Sequence, residues 1–204
     1  MRAPAPDRHR PRWERRFAGK RGLALHLLAL LQTRAPRWRR LCAIEWSAVE
    51  RFVFVCTGNI CRSPYAAAQA QALGLPAVSA GLEAARDAEA NETAAAEAAR
   101  RGIALAGHRT RPLQDLRLTA ADLIVCMEPP HCRRIRGLMP EPPGQITLLG
   151  LWSRPQRPWI FDPYGISGEY WQSCFDVIDD GVGRIAAAWR ERRGEARPLP
   201  LTAL

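Results

Sequence analysis

From Arg51 onward, short runs of β-branched and aromatic residues alternate with Ala-rich segments, and this alternation constrains the fold more than any other feature. Four runs are predicted to be strands, namely Phe52–Val55, Ala77–Ser79, Leu123–Cys126 and Gln145–Leu148. Helices are predicted at Pro64–Leu73, Glu89–Arg101, Thr119–Ala121 with the turn before it, Pro130–Gly137 and about Gly168 to Arg193. Strands that alternate with helices are typical of βα units. We therefore expect an α/β fold with a four-stranded parallel sheet flanked by helices on both faces.

The basic charge is concentrated in the first quarter of the chain. The 204 residues carry a net charge of +10, and residues 1–50 hold 12 basic and four acidic side chains, whereas the rest is nearly balanced. This indicates a basic Arg/Pro-rich extension (1–50), a domain (51–195) and a flexible tail (196–204). The extension lacks the pattern of a nucleic-acid reader, so anionic membrane or an acidic partner explains its charge better.

A helix is predicted within the extension, from about Trp13 to Thr33. Its apolar face would consist of four leucines, Leu23, Leu27, Leu30 and Leu31. Such a face packs either on the chain's own domain or on a membrane surface or partner protein. Both interpretations stay open from the sequence.

The six cysteines are too few for a dense disulfide framework in a chain of this length. No segment has the features of a secretory signal, and the longest apolar run, Leu23 to Leu31, is too short to span a bilayer. We therefore expect a cytoplasmic protein. In that compartment cysteines are reduced thiols, metal ligands or nucleophiles.

The segment that follows the first predicted strand carries the chemistry. Cys56 opens a loop, and Arg62-Ser63-Pro64 begins a helix after five intervening residues. Loop N–H groups, the helix dipole and the Arg62 guanidinium can together bind a dianion. The same positive environment stabilises a thiolate at Cys56 and makes it a nucleophile. The combination predicts phosphoryl transfer to sulfur.

Three alternatives compete with this interpretation. A nucleotide-binding phosphate loop would end in Gly-Lys-Ser or Gly-Lys-Thr, which this chain lacks. A zinc site on Cys56 and Cys61 would need two more ligands, for which His131 and Cys132 are the nearest pair of suitable type. Two merely buried cysteines would leave Arg62 in the same loop unexplained.

The loop Cys-Thr-Gly-Asn-Ile-Cys-Arg-Ser-Pro resembles that of the low-molecular-weight protein tyrosine phosphatases. The resemblance extends over about Arg51 to Arg193, and four further motifs follow in the expected order. They are Val78-Ser79-Ala80-Gly81, Gly107-His108-Arg109-Thr110-Arg111, Asp122-Leu123-Ile124-Val125-Cys126-Met127-Glu128 and Phe161-Asp162-Pro163-Tyr164. The resemblance implies a protein-tyrosine phosphatase that uses neither metal nor cofactor.

The resemblance also implies a role for each site residue. Cys56 would attack phosphorus and form a cysteinyl-phosphate, Arg62 would bind the phosphate, and Asp162 would protonate the leaving phenolate and later activate water. Ser63 would donate a hydrogen bond to the Cys56 sulfur. The phosphate-binding loop would comprise Thr57, Gly58, Asn59, Ile60 and Cys61.

Supporting roles are implied for four residues. Asn59 would hold the loop in a strained shape, steadied by His108. Cys61 would lie beside Cys56 and could trap it as a reversible disulfide. Tyr164 would line the mouth and stack on the substrate ring.

Related activities of the same fold remain alternatives. Phosphoarginine-specific members resemble this chain except for a threonine at the position of Ile60, so Ile60 favours phosphotyrosine. Arsenate reductases need two further cysteines as a relay, and the spacing of Cys126 and Cys132 argues against one. A different class of function is a non-catalytic adaptor that works through the basic extension. Members of the family in bacteria suggest a tyrosine kinase of polysaccharide export as substrate.

Overall fold

Four parallel strands form the centre of the domain in the order β2-β1-β3-β4. Their bounds are β1 Arg51–Cys56, β2 Ala77–Gly81, β3 Asp122–Cys126 and β4 Gln145–Leu148. A computed structural model of the chain describes residues 16–32, 35–166, 168–192 and 194. The tail predicted at 196–204 lies outside the described residues. All four predicted strands are confirmed, with one or two further residues at some ends.

Helices cover both faces of the sheet, as predicted. In chain order they are α1 Gly19–Gln32, α2 Pro36–Arg39, α3 Arg62–Ala72, α4 Glu92–Arg100, α5 Pro129–Leu138 and α6 Gly168–Arg192. No helix in the described part of the chain is long and apolar enough to cross a bilayer. The long helix α6 packs on α3, where the rings of Tyr65 and Phe175 stack with centroids 3.9 Å apart.

Side chains of β1 alternate between two buried clusters, and this alternation fixes where the nucleophile candidate points. Phe52, Phe54 and Cys56 face the cluster that includes residues of α3 and α6. Val53 and Val55 face the opposite cluster, which includes residues of α5 and the extension. Because successive side chains of a strand point to opposite faces, Cys56 lies on the α3 side of the sheet at the carboxyl end of β1.

The helix predicted at Thr119–Ala121 is wrong. These residues form a turn into β3, and only the residues Leu113–Asp115 before it form a short 3-10 helix. The carboxylate of Asp122 accepts a hydrogen bond from the Thr119 N–H at 2.7 Å, and Arg51 donates two more to it. A side-chain acceptor that bonds local backbone in this way favours a turn over a helix.

The extension packs on its own domain through small and polar positions of α1. Gly22, His26 and Ala29 are buried, whereas Leu27 and Leu31 of the predicted apolar face are exposed and Leu23 and Leu30 are half-buried. The predicted leucine face is therefore not the packing face. The ends of the predicted helix, residues 13–15 and 33, lie outside the described residues.

Residues 35–50 attach the extension to β4. The hydroxyl of Thr147 donates to the Leu41 carbonyl at 2.5 Å, and the Gln145 side chain forms two hydrogen bonds with the Glu45 backbone. Trp38 and Leu41 are buried in the cluster on the α5 side. The extension thus contributes to the domain's core.

Candidate active site

The loop at the carboxyl end of β1 closes on itself through Cys56 and Ser63. The Cys56 sulfur lies 3.0 Å from the Ser63 hydroxyl oxygen, and both residues are buried. The Asn59 side-chain amide donates to the same hydroxyl oxygen at 2.9 Å. Because that bond uses the oxygen as acceptor, the Ser63 proton is available to the sulfur, with the Ala80 carbonyl at 3.3 Å as a weaker alternative. Ser63 lies inside α3, and its side chain does not cap the helix.

Asn59 fixes the shape of this loop. It is fully buried, and its φ of 55° lies in the left-handed region, which Asn tolerates better than most residues. Its amide donates to Ser79 as well as to Ser63, and its side-chain oxygen accepts from the Arg111 N–H at 2.9 Å. His108 donates from Nε2 to the Asn59 carbonyl at 2.7 Å, so the structure brings these two residues together.

A second histidine contacts the loop from α5. The Nε2 atom of His131 lies 3.2 Å from the Thr57 hydroxyl, and burial lowers the pKa of His131 to about 3, with Arg62 and Arg134 adding to the shift. The ring is therefore neutral. On the other side of the loop, a Cβ at Gly81 would lie 2.7 Å from the Thr57 carbonyl oxygen, so only glycine fits there.

Outward-facing carbonyls line the outer side of the loop. The carbonyls of Cys56, Thr57 and Ile60 accept hydrogen bonds from the N–H groups of Leu82, Glu83 and Asn91, respectively. With these carbonyls turned outward, the geometry favours N–H groups on the inner side, as in anion-binding backbone nests. Gly58 lies in this same turn, between Thr57 and Asn59.

Arg62 connects the loop to two other parts of the chain. Its guanidinium is 1% exposed; Nη1 donates to the Ile160 carbonyl at 2.9 Å and to Glu128, and Nη2 donates to Asp162 at 2.6 Å. Burial opposes its charge, but Glu128 and Asp162 outweigh burial and raise the pKa of Arg62. Burial also opposes the charge of Glu128. There it outweighs the effect of Arg62, so the pKa of the Glu128 carboxyl is raised. The buried Nε–H has no protein partner.

Asp162 and Tyr164 lie at the solvent side of the site. The Asp162 side chain is 40% exposed, and its second oxygen accepts from the Tyr164 N–H at 3.2 Å. The Tyr164 ring is 63% exposed. The site thus has a buried floor, formed by Cys56 and Arg62, and a carboxylate that solvent can reach.

The remaining cysteines separate the alternatives raised by the sequence. Cys61 is buried in the loop, and burial raises the pKa of its thiol, with Asp162 and Cys56 adding to the shift. All six cysteines are free. Cys126 and Cys132 belong to the buried cluster on the opposite face of the sheet from Cys56, so neither the zinc set nor a thiol relay is assembled. Among the described residues, no group of three metal-binding side chains is placed to hold a metal ion.

Two residues of the site had no assigned role in the sequence interpretation. Glu128 anchors Arg62, and His131 anchors Thr57. The available signal was position: Glu128 comes two residues after β3, whose carboxyl end lies beside that of β1. Side chains that follow neighbouring parallel strands meet at one edge of the sheet.

A thiol at the end of a buried parallel strand, a loop that runs into a helix, and a buried arginine meet at one place, as expected for a cysteine-dependent phosphatase. The family described as low molecular weight phosphotyrosine protein phosphatase matches residues 51–194. A putative low molecular weight protein-tyrosine-phosphatase of Klebsiella pneumoniae is 39% identical over 143 residues, which cover 69% of this chain and 94% of that protein. The chain belongs to the low-molecular-weight protein-tyrosine phosphatase family.

Solved structures agree with this placement. The tyrosine phosphatase AmsI of Erwinia amylovora superposes with a TM-score of 0.61 at 31% identity, over 69% of this chain and 93% of that one. The arginine phosphatase YwlE of Geobacillus stearothermophilus gives a TM-score of 0.63 at 29% identity, over 74% and 99%. The fold therefore accompanies more than one phosphatase specificity.

Proposed function

We propose that this chain hydrolyses phosphotyrosine in proteins through a cysteinyl-phosphate intermediate on Cys56. The observation that carries the proposal is the ion pair between Arg62 and Asp162, because it joins the thiol-bearing loop to a carboxylate 100 residues away. A nucleophile, a phosphate-binding cation and an acid are thereby within one site. This arrangement suits transfer of a phosphoryl group from an aryl oxygen.

In the proposed first step the Cys56 thiolate attacks phosphorus. The S–P bond forms as the P–O bond to tyrosine breaks, and Asp162 gives its proton to the departing phenolate oxygen. In the second step Asp162 takes a proton from water, whose oxygen attacks phosphorus, and the S–P bond breaks to release phosphate. Arg62 would bind the phosphate through its unpartnered Nε–H and through Nη2, while Glu128 and Ile160 hold Nη1.

The other site residues are proposed to support these steps. Ser63 would stabilise the Cys56 thiolate by its hydroxyl proton, and Asn59 with His108 would keep the loop closed. The loop N–H groups of residues 57–61 would bind the phosphate oxygens. Tyr164 would contact the substrate ring, and Cys61 would form a reversible disulfide with Cys56 under oxidation.

The test compares wild type with Cys56→Ser on an aryl phosphate. We expect a loss of about 10⁴-fold or more in kcat, as for other removed nucleophiles, while Cys42→Ser, which changes an exposed thiol, keeps activity. A radiolabelled phosphoryl group should remain on wild-type protein after a rapid quench and be absent from Cys56→Ser. Equal turnover by the two proteins would favour an adaptor that works through the extension.

Phosphoarginine is the second candidate substrate, favoured by the likeness to YwlE. The side chain of Ile60 is the specificity determinant that we propose, since an apolar wall suits an aromatic ring better than a guanidinium. One assay series with phosphotyrosine, phosphoarginine and arsenate should give the highest kcat/KM for phosphotyrosine. Ile60→Thr should shift the ratio toward phosphoarginine, and an unchanged ratio would contradict the role of Ile60.

The physiological substrate proposed here is a tyrosine-phosphorylated protein, with a bacterial tyrosine kinase of polysaccharide export as the specific candidate. We place the reaction in the cytoplasm, where free thiols such as Cys56 stay reduced. Cys56→Ser protein should retain a phosphorylated substrate that wild type releases. Retention of the kinase only in its phosphorylated form would support the assignment, and equal retention of the unphosphorylated form would contradict it.

The extension is proposed to contact anionic membrane. Ala24, Leu27, Leu28 and Leu31 form an exposed stripe at three- and four-residue spacing, and Lys20 and Arg21 are exposed one turn before it. An apolar stripe beside basic residues suits an anionic lipid surface. The chain should sediment with phosphatidylglycerol vesicles and less with phosphatidylcholine vesicles, and Leu27→Glu should abolish the difference. No sedimentation would favour an acidic protein partner instead.

A further inference from the structure

The extension lies against the segment that carries Asp162, here called the acid-bearing segment (residues 154–163). The Arg157 guanidinium donates to the Arg16 carbonyl at 3.0 Å, and its central carbon lies 4.9 Å from the centre of the Phe17 ring. Phe17, Arg157, Ile160 and Phe161 all line one narrow crevice next to this contact. The extension therefore borders the same crevice as the two residues that precede Asp162.

The backbone of the extension is shaped to present Phe17. Ala18 and Gly19 have φ of 58° and 87°, which breaks the helix and folds Phe17 back onto α1. A Cβ at Gly22 would lie 1.6 Å from the Phe17 carbonyl oxygen, so this close approach requires glycine. The Phe17 ring also packs on the His26 ring, with centroids 4.8 Å apart. Contacts with α1 thus fix the position of Phe17 beside the acid-bearing segment.

The acid-bearing segment has no regular structure of its own around Asp162, so outside contacts fix it. The Tyr170 hydroxyl donates to the Phe161 carbonyl at 3.0 Å, and Met127 and Arg62 bond the backbone of Ile160. These contacts act from the domain side. The extension adds a further contact, through the half-buried side chain of Arg157.

The contact at Arg157 is a cation–aromatic stack in partial burial. Burial lowers the pKa of Arg157 to about 10, with Arg16 adding to the shift, and the group remains charged at neutral pH. A guanidinium over an aromatic face is attracted by the ring's negative face, more strongly where water is excluded. Electrostatic attraction therefore adds to the packing between Phe17 and Arg157.

We propose that Phe17 and Gly22 of the extension are positioning residues that hold the acid-bearing segment so that Asp162 can deliver its proton. The inference rests on the proposed role of Asp162 as the acid. Phe17 and Gly22 lie outside the region that matches the family, which begins at residue 51. The extension is thereby part of the catalytic apparatus of this chain, beyond any role as an anchor.

The experiment uses full-length protein and measures kcat/KM for a series of aryl phosphates that differ in the pKa of the leaving phenol. Phe17→Ala and Gly22→Ala should each lower kcat/KM by about 10-fold for the poorest leaving groups, since general acids contribute roughly 10²–10⁴-fold and the acid is displaced, not lost. The effect should shrink for good leaving groups. Leu138→Ala, which changes an exposed leucine at the end of α5, is the control and should match wild type.

The same substitutions in an Asp162→Ala background separate positioning from general damage. Phe17→Ala should then change kcat/KM by less than about twofold, because the group it positions is gone, as expected for coupled residues. Inhibition by inorganic phosphate should stay the same when Phe17→Ala or Gly22→Ala is introduced into either background, since neither substitution touches the Cys56 loop. Thermal unfolding of each variant identifies any that fails to fold, and Gly22→Ala then serves in place of Phe17→Ala.

Three results would overturn the inference or the proposed role on which it rests. If Asp162→Ala lowers kcat/KM but Phe17→Ala and Gly22→Ala leave its dependence on leaving-group pKa unchanged, the extension does not position the acid. An equal loss with good and poor leaving groups, or in both backgrounds, would show a structural effect only and also sink the inference. If Asp162→Ala itself has no effect, the proposed acid is wrong.

Discussion

The loop that follows β1 (residues 56–63) and the acid-bearing segment (residues 154–163) are built in opposite ways. The loop is short and buried, and its shape is set largely by bonds among its own residues and the adjoining strand ends, as for Asn59 and Ser63. The acid-bearing segment is irregular, and contacts from outside it hold it in place. The Asp162 carboxylate is 40% exposed and accepts a hydrogen bond from Arg62, and the neighbouring Phe161 carbonyl accepts one from Tyr170.

This difference suits the two tasks proposed for these regions. Charge that develops on phosphate is best stabilised by donors that are already oriented before substrate binds, because reorientation would cost free energy. A proton donor must instead reach the leaving oxygen and later admit water, so its carboxylate has to remain accessible. Rigidity at the sulfur and access at the acid therefore require different local structures.

Arg62 lies in the loop and donates hydrogen bonds to the acid-bearing segment, so its replacement should have the largest effect. Arg62→Lys removes the fork that spans Asp162 and the Ile160 carbonyl, and a lysine cannot donate to two phosphate oxygens in the same planar geometry. We expect kcat/KM for an aryl phosphate to fall by roughly 10³-fold, as for lost oxyanion donors.

The matched control for this substitution is Arg51→Lys, at the other end of β1. Arg51 also makes a two-pronged contact, with Asp122, but lies away from the loop. Its replacement should lower the free energy of unfolding and leave kcat/KM near that of wild type. Equal losses of activity in the two variants would mean that Arg62 acts only through folding.

A smaller effect is expected from the loop alone. Asn59→Ala removes three buried hydrogen bonds and leaves alanine at a φ of 55°. The free energy of unfolding should fall by about 2–4 kcal/mol, measured by urea denaturation. Asp87→Ala provides the control, since Asp87 has a similar φ of 58° but an exposed side chain. Similar losses in both variants would assign the effect to backbone conformation and not to the hydrogen bonds.

The two regions also differ in how much of them the sequence predicts. The sequence predicts the loop because its residues are contiguous. Cys56, Arg62 and Ser63 follow directly after one strand, and that strand is predicted from its residue pattern. The contact of Asn59 with His108 was expected only from the family resemblance, because the two residues lie in separate motifs. For such a contiguous motif, the order of residues along the chain is nearly sufficient to predict the local structure.

For the acid-bearing segment, the sequence predicts which residue is the acid but not the contacts around it. Nothing local to Asp162 indicates that Phe17, far earlier in the chain, packs near it, because that contact depends on a break at Ala18 and a close approach at Gly22. The predicted leucine face of α1 failed for the same reason. Small residues made the close contact, and hydrophobic periodicity alone favoured the wrong side of the helix.

The last expected effect is a pH dependence of stability that arises on the loop side. Burial lowers the pKa of His131, which contacts Thr57, to about 3, against an ordinary value of 6.5. Between these values the unfolded chain binds more protons than the folded one, so the stability contributed by neutral His131 is complete above about pH 6.5 and is lost as pH falls toward about 3. The slope attributable to one such proton is about 1.4 kcal/mol per pH unit.

His131→Gln keeps a polar group toward Thr57 and removes this titration. Glu128, whose pKa is raised, titrates with the opposite sign, so the measured quantity is the difference between wild type and variant in the free energy of unfolding from about pH 6.5 to about pH 4.5. We expect the wild type to lose stability more steeply than His131→Gln. His26, which packs on Phe17 beside the acid-bearing segment and also has a pKa lowered by burial, provides the comparison through His26→Gln. Because the pKa of His131 is displaced so far, removal of His131 should flatten the pH profile of the free energy of unfolding more than removal of His26. The reverse order would mean that the extension, and not the loop, governs the loss of stability in acid.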